Sequence, residues 1–236
     1  MDKFEGYVGI QLGDGQLVND VIFSLLFALL IVFALVYHRN YHLFLKMVRD
    51  VFYVKERLSL FEDIDGNETV FRSFMIFQAL LLCAIALFLV SRSQGFITTN
   101  YQEVGINLLA IGAIWLILFL FYLLKQLMYQ LLGSIFTEAG AYKTWRVGYT
   151  ASVGFWGVLL YVPVLWLAFV AAYWQIPLFL FGVLFILWRL IIIHKTIWIF
   201  NIRGIGFLYI ILYLCAQEIL PLIFLYEGII YMYNLY

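Results

Sequence analysis

The chain has 236 residues, of which 66% are apolar and 12% charged, with a mean hydropathy of +1.00. A soluble domain is about half apolar and a quarter charged, so water is excluded as the solvent for most of this surface. Its 14 basic and 14 acidic residues cancel, which removes any bulk attraction to nucleic acid. A helix needs about 20 mainly apolar residues to cross a bilayer core of about 30 Å. Barrel strands would show short alternating segments, whereas runs such as Ile106–Leu124 are unbroken. The fold class expected is all-α: one integral membrane domain over residues 1–236, a transmembrane helical bundle of about six spans.

The first residues carry Asp2, Glu5, Asp14 and Asp20 against Lys3. A secretory signal has a basic start and a small-residue cleavage site, so the first apolar run, Val18–Tyr37, is expected to be retained. The piece from Tyr41 to Arg72 follows. At helical spacing Arg39, His42, Lys46, Arg49, Asp50 and Arg57 make a polar stripe, opposite Phe44, Leu45, Val48, Val51, Phe52 and Leu58. Two readings stand side by side. One is an interfacial amphipathic helix with its basic stripe toward anionic lipid, and the other is a plain extension of the first span. Glu62, Asp63, Asp65, Gly66, Asn67 and Glu68 form an acidic stretch without the full twelve-residue calcium loop, and it reads as a solvated turn.

The second run, Ser73–Val90, contains Gln78, expected to bond between helices, and Cys83. Cys83 and Cys215 both sit deep in apolar runs and read as small core residues. The third run, Ile106–Leu124, begins beside Asn107. Lys125–Val147, divided by Gly133 and Gly140, reads as an interfacial helix and turn, with a re-entrant hairpin as the alternative. The fourth run is Tyr149–Ala172, with Pro163 mid-way. Pro177–Ile193 is the fifth and contains Arg189, and Ile205–Leu225 is the sixth, with Pro221. Each internal proline removes a donor and frees a carbonyl one turn earlier, so helix kinks are expected at Pro163 and Pro221.

Basic residues sort by loop. Arg39, Lys46, Arg49, Lys55, Arg57, Arg72, Lys125, Lys143, Arg146, Arg189, Lys195 and Arg203 fall on one alternating set, and only Lys3 and Arg92 on the other. The positive-inside rule places the first set in the cytoplasm and both termini outside.

Polar residues within the apolar runs are the candidates for function, because charge at depth is costly and faces a partner or a pathway. Gln217 and Glu218 stand one turn before Pro221, whose ring frees the Gln217 carbonyl. Arg189 is the natural partner of Glu218, at a depth differing by less than ~10 Å. Alternatively, Arg189 snorkels to the cytoplasmic surface and Glu218 is a neutral acid near the outer leaflet. His38 and His42 share a helical spacing, but with His194 they are the only histidines. No HExxH, phosphate loop or nucleophile elbow occurs, so no metal, cofactor or catalytic residue is expected.

In order of features, a short acidic N-terminus precedes one span, and a basic, aromatic loop follows. Five more apolar runs come next, with the Gly133–Trp145 segment ahead of a Pro-bearing fourth. This order resembles an uncharacterised family of bacterial inner-membrane proteins known as a domain of unknown function. The resemblance implies a bacterial inner membrane and supplies no catalytic or binding residues. The leading expectation is a non-enzymatic subunit of a membrane complex, touching lipid and either other membrane subunits or its own copies. The alternative is a small transporter or channel lined by Arg189, Gln217 and Glu218.

Overall fold

The computed structural model describes residues 16–52, 66–93, 104–136, 139–170 and 175–202, with Ile223 and Glu227. In these residues every element is a helix: α1 Gln16–Arg39, α2 Tyr41–Phe52, α3 Gly66–Ser93, α4 Val104–Phe136, α5 Ala139–Leu159, α6 Tyr161–Phe169 and α7 Gln175–Ile202. Five stretches are long and apolar enough to cross a membrane: Val18–Arg39, Gly66–Ser93, Val104–Leu131, Trp145–Phe169 and Gln175–Trp198. They overlap the first five expected runs. The expected sixth span lies outside the described residues, and with it Gln217, Glu218, Pro221 and Cys215. Arg57 also lies outside them.

Asn40 separates α1 from α2. Its backbone N–H donates to Val36 O at 3.0 Å, and its side-chain amide donates to the same oxygen at 3.2 Å. Its own carbonyl accepts from Leu43 and Phe44 at 2.9 and 3.1 Å. One short amide thus satisfies the last turn of α1 while the chain redirects into α2. The second helix is therefore not a straight extension of the first span. It is amphipathic, with Met47 and Val51 buried and His42 and Arg49 exposed.

The stretch expected to hold an interfacial helix and turn after Leu124 is different. The third span runs on without a break to Phe136, and α5 starts at Ala139. The continuous apolar sequence and the absence of proline let the helix propagate past the bilayer. At 33 residues α4 is ~50 Å long, well over a core of about 30 Å.

The fourth span is made of α5 and α6, joined at Leu160, three residues before Pro163. Leu160 N still donates to Trp156 O and Val164 N to Leu160 O, both at 3.1 Å. The donor missing between them is the one proline lacks.

Small residues bring α3 and α5 together. A Cβ at Gly157 would stand 2.5 Å from the Ala79 Cβ and 2.9 Å from its Cα. One at Gly154 would meet the Met75 Cβ at 3.0 Å and the Met47 sulfur at 3.1 Å. In lipid, helices associate through such close packing, because tails are as apolar as leucine. Two cores result. One joins Ile22 and Leu26 of α1 to Leu82 and Phe88 of α3 and to Leu160 and Val164. Cys83, a free thiol, packs in this core. The other joins Met47 and Val51 of α2 to Phe71, Met75 and Ala151.

Half of the most apolar window of the second and fourth spans is buried (50% each), against 11% in the third and fifth. So α3 and α5–α6 form the centre, and α4 and α7 flank it.

Candidate functional site

One end of the bundle carries a layer of charge held by α2, α3, α5 and α7. It begins with spacing. Lys46 and Asp50 lie one turn apart on α2, and Glu68 and Arg72 lie one turn apart on α3. Side chains four residues apart share a helix face, and the two faces meet. Lys46 Nζ donates to Glu68 Oε2 at 2.7 Å. Arg72 Nη2 donates to Asp50 Oδ2 at 2.6 Å.

Arg72 is the centre. Its Nε and Nη2 donate to Glu68 Oε1 at 3.0 and 2.7 Å, and its Nη1 donates to the Val147 carbonyl at 3.0 Å. One planar guanidinium therefore ties α3 to α2 and to α5, a use of its fixed fork that lysine cannot reproduce. The side chains of Arg72 and Glu68 are 8% and 4% exposed. Lys195, reaching in from α7, donates to the Asp50 carbonyl. Trp145 Nε1 on α5 donates to Thr196 Oγ1 on α7 at 3.1 Å.

An aromatic group flanks this layer. Trp145 stacks on Tyr149 with centroids 5.1 Å apart and meets Tyr129 of α4 at 4.3 Å. The buried Lys125 ammonium lies 5.4 Å from the Tyr129 ring centre and 5.7 Å from that of Tyr149, a cation–π arrangement. Among the described residues the opposite end of the bundle has few charges. There Arg92 donates to Asn19 at 3.0 Å.

Such a layer is suited to fixing helices. Both Glu68 oxygens are engaged by cations, so neither is presented as a base. Buried ion pairs contribute modest net stability when complete, but losing one partner strands the other charge and costs about 3–5 kcal/mol. Among the described residues, no three His, Cys, Asp or Glu side chains are grouped to hold a metal ion.

The residues singled out from the sequence fall in several places. Arg39 and Arg49 are exposed, and Lys46 is in the ion pair with Glu68. Arg189 stacks its guanidinium on Trp188 and Phe185, 4.9 and 5.0 Å from the ring centres. Its expected meeting with Glu218 falls outside the described residues. Pro163 is buried. His38 and His42 are both exposed, and the Asn40 turn lies between them. Gln78 departs from expectation. It is fully buried, and neither end of its amide has a partner among the described residues.

Sequence reasoning missed the layer. Glu68 read as part of a solvated turn and Arg72 as one loop charge among many. The available signal was the pair of opposite charges one turn apart on each of two consecutive helices.

No curated protein and no solved structure matches the chain. A family model matches residues 22–229, taking in every described helix from the first turns of α1 onward. The chain therefore belongs to the domain of unknown function DUF4271.

Proposed function

We propose that this protein is a non-enzymatic subunit of a bacterial inner-membrane complex, with its charged end in the cytoplasm and α4 as its partner-facing helix. The supporting observation is where the exposed apolar stripe of α4 ends. Exposed leucines within the hydrocarbon do not distinguish lipid from a partner helix. Lys125, held over Tyr149, marks the depth of the charged layer. Beyond it Leu127, Met128 and Leu131 are 57%, 45% and 50% exposed. Six residues add ~9 Å of helix, which carries this stripe out of the tails. Large apolar side chains exposed beyond the bilayer core favour a protein partner over water. The basic loops on this end fit a cytoplasmic orientation.

The test is site-specific photocrosslinking in intact membranes. Probes replacing Leu127 and Leu131 should give discrete protein adducts, and a probe at Leu109 mainly lipid adducts. An adduct at twice the chain mass identifies the partner as a second copy. Lipid adducts alone at all three positions, with a monodisperse chain in mild detergent, would overturn the proposal.

A further inference from the structure

A groove of about 770 Å³ runs down the bundle between α2, α5 and α7. It is distinct from the exposed stripe of α4. On α7 its wall extends from Trp198 and Lys195 at the charged end to Leu184. Those positions are ~21 Å apart along the helix. One leaflet with its headgroups is ~20–22 Å thick, so the groove has the length of a single lipid.

Its chemistry is graded in the same sense. At the top, among the described residues, Lys46, Arg72 and Lys195 stand against Glu68 and Asp50. The layer thus carries one more positive than negative charge, and Lys195 brings it into the groove wall. Two turns below Lys195, Trp156 and Trp188 stack with centroids 4.8 Å apart. Both line the groove, and both indole N–H groups are buried with no acceptor among the described residues. Trp156 is only 8% exposed. An indole N–H can only donate, and a buried donor without an acceptor is costly. Deeper still the walls are leucines.

We infer that this groove holds one anionic glycerophospholipid as a resident ligand, its phosphate at Lys195, its ester carbonyls accepting from Trp156 and Trp188, and an acyl chain along Leu184 and Leu187. The lipid supplies the missing negative charge and the missing acceptors in the vertical order in which the groove presents the need for them. Any membrane groove fills with lipid. The specific content is a preference for negative charge read at two tryptophans.

The full chain is reconstituted in phosphatidylcholine vesicles containing dibrominated phosphatidylglycerol or, at equal mole fraction, dibrominated phosphatidylcholine. Bromine quenches tryptophan at contact. The brominated anionic lipid should reach half-quenching at about a fivefold lower mole fraction, the ratio one basic residue facing an anionic headgroup carries. Trp156→Phe and Trp188→Phe should each remove much of that excess, and Lys195→Met should abolish the preference. Equal quenching by the two lipids, or an unchanged preference in Lys195→Met, would overturn the inference. Where Lys195→Met does not fold, Lys195→Gln is read in the same way, because it keeps all seven tryptophan reporters and removes only the charge. An undiminished preference for the brominated anionic lipid in that variant sinks the idea.

Discussion

The central pair α3 and α5 and the flanking pair α4 and α7 are all long apolar helices, yet they are held by different means. The centre is built on what it lacks and what it pairs. Glycines let backbones touch, and one arginine satisfies three helices. The flanks are built on bulk, and their leucines and phenylalanines point outward. Hydropathy alone does not separate the central second span, at 2.6, from the flanking third and fifth, at 2.5 and 2.6; only the fourth is lower, at 1.8. In a membrane, then, the apolar residue is the default, and information lies in the exceptions to it.

Arg72→Met attacks the centre most directly. It leaves the buried Glu68 and the half-buried Asp50 without the guanidinium that joins them, and should cost about 3–5 kcal/mol. The readout is the thermal unfolding midpoint of the detergent-purified chain. Adding Glu68→Leu to that variant should recover part of the loss, since it removes one stranded charge. A double variant no better than the single would show that α3 and α2 are held mainly by packing.

Gly157→Val should come next, at about 1–3 kcal/mol, because the new Cβ meets Ala79 backbone as well as side chain. A disulfide-trapping rate between cysteines placed on α3 and α5 would report the forced separation.

Trp145→Phe keeps a six-membered ring beside Tyr129 and Tyr149 but loses the indole's five-membered ring and with it the hydrogen bond to Thr196. That hydroxyl also donates to Ile192 O at 2.9 Å, so it is not orphaned, and a loss of about 0.5–1.5 kcal/mol is expected. The same unfolding scan measures it.

Leu120→Ala on the flank should move the midpoint least, within about 0.5 kcal/mol, because Leu120 is 56% exposed. A large loss there would mean that α4 is structural rather than peripheral, and would erase the contrast.

Five spans were legible in the sequence because a bilayer imposes its thickness on any run that crosses it. The break at Asn40 and the continuation of α4 were harder. Both turn on whether the chain stays helical outside the hydrocarbon, where thickness no longer constrains it. The charged layer was illegible for another reason. Glu62, Asp63, Asp65 and Glu68 offer equivalent charges within seven residues. Which of them meets Lys46 depends on how the chain reverses between α2 and α3, and that path leaves no periodic mark. Lys195 lies a further 123 positions beyond Arg72 (195 − 72), a separation no local pattern spans.

That separation has a consequence for biosynthesis. At ribosomal rates of about 5–20 residues per second, Lys195 emerges roughly 6 to 25 s after Arg72. The carbonyl of Val147 also emerges after Arg72 has entered the membrane region. Through that interval Arg72 has its companion already on board, since Glu68 is one turn away on the same helix. A charge that enters beside its own counter-charge avoids much of the cost of being there alone. Asp50 and Lys46, made earlier still, wait on α2. The layer can therefore assemble in the order of translation, around an arginine that has had Glu68 beside it from the start.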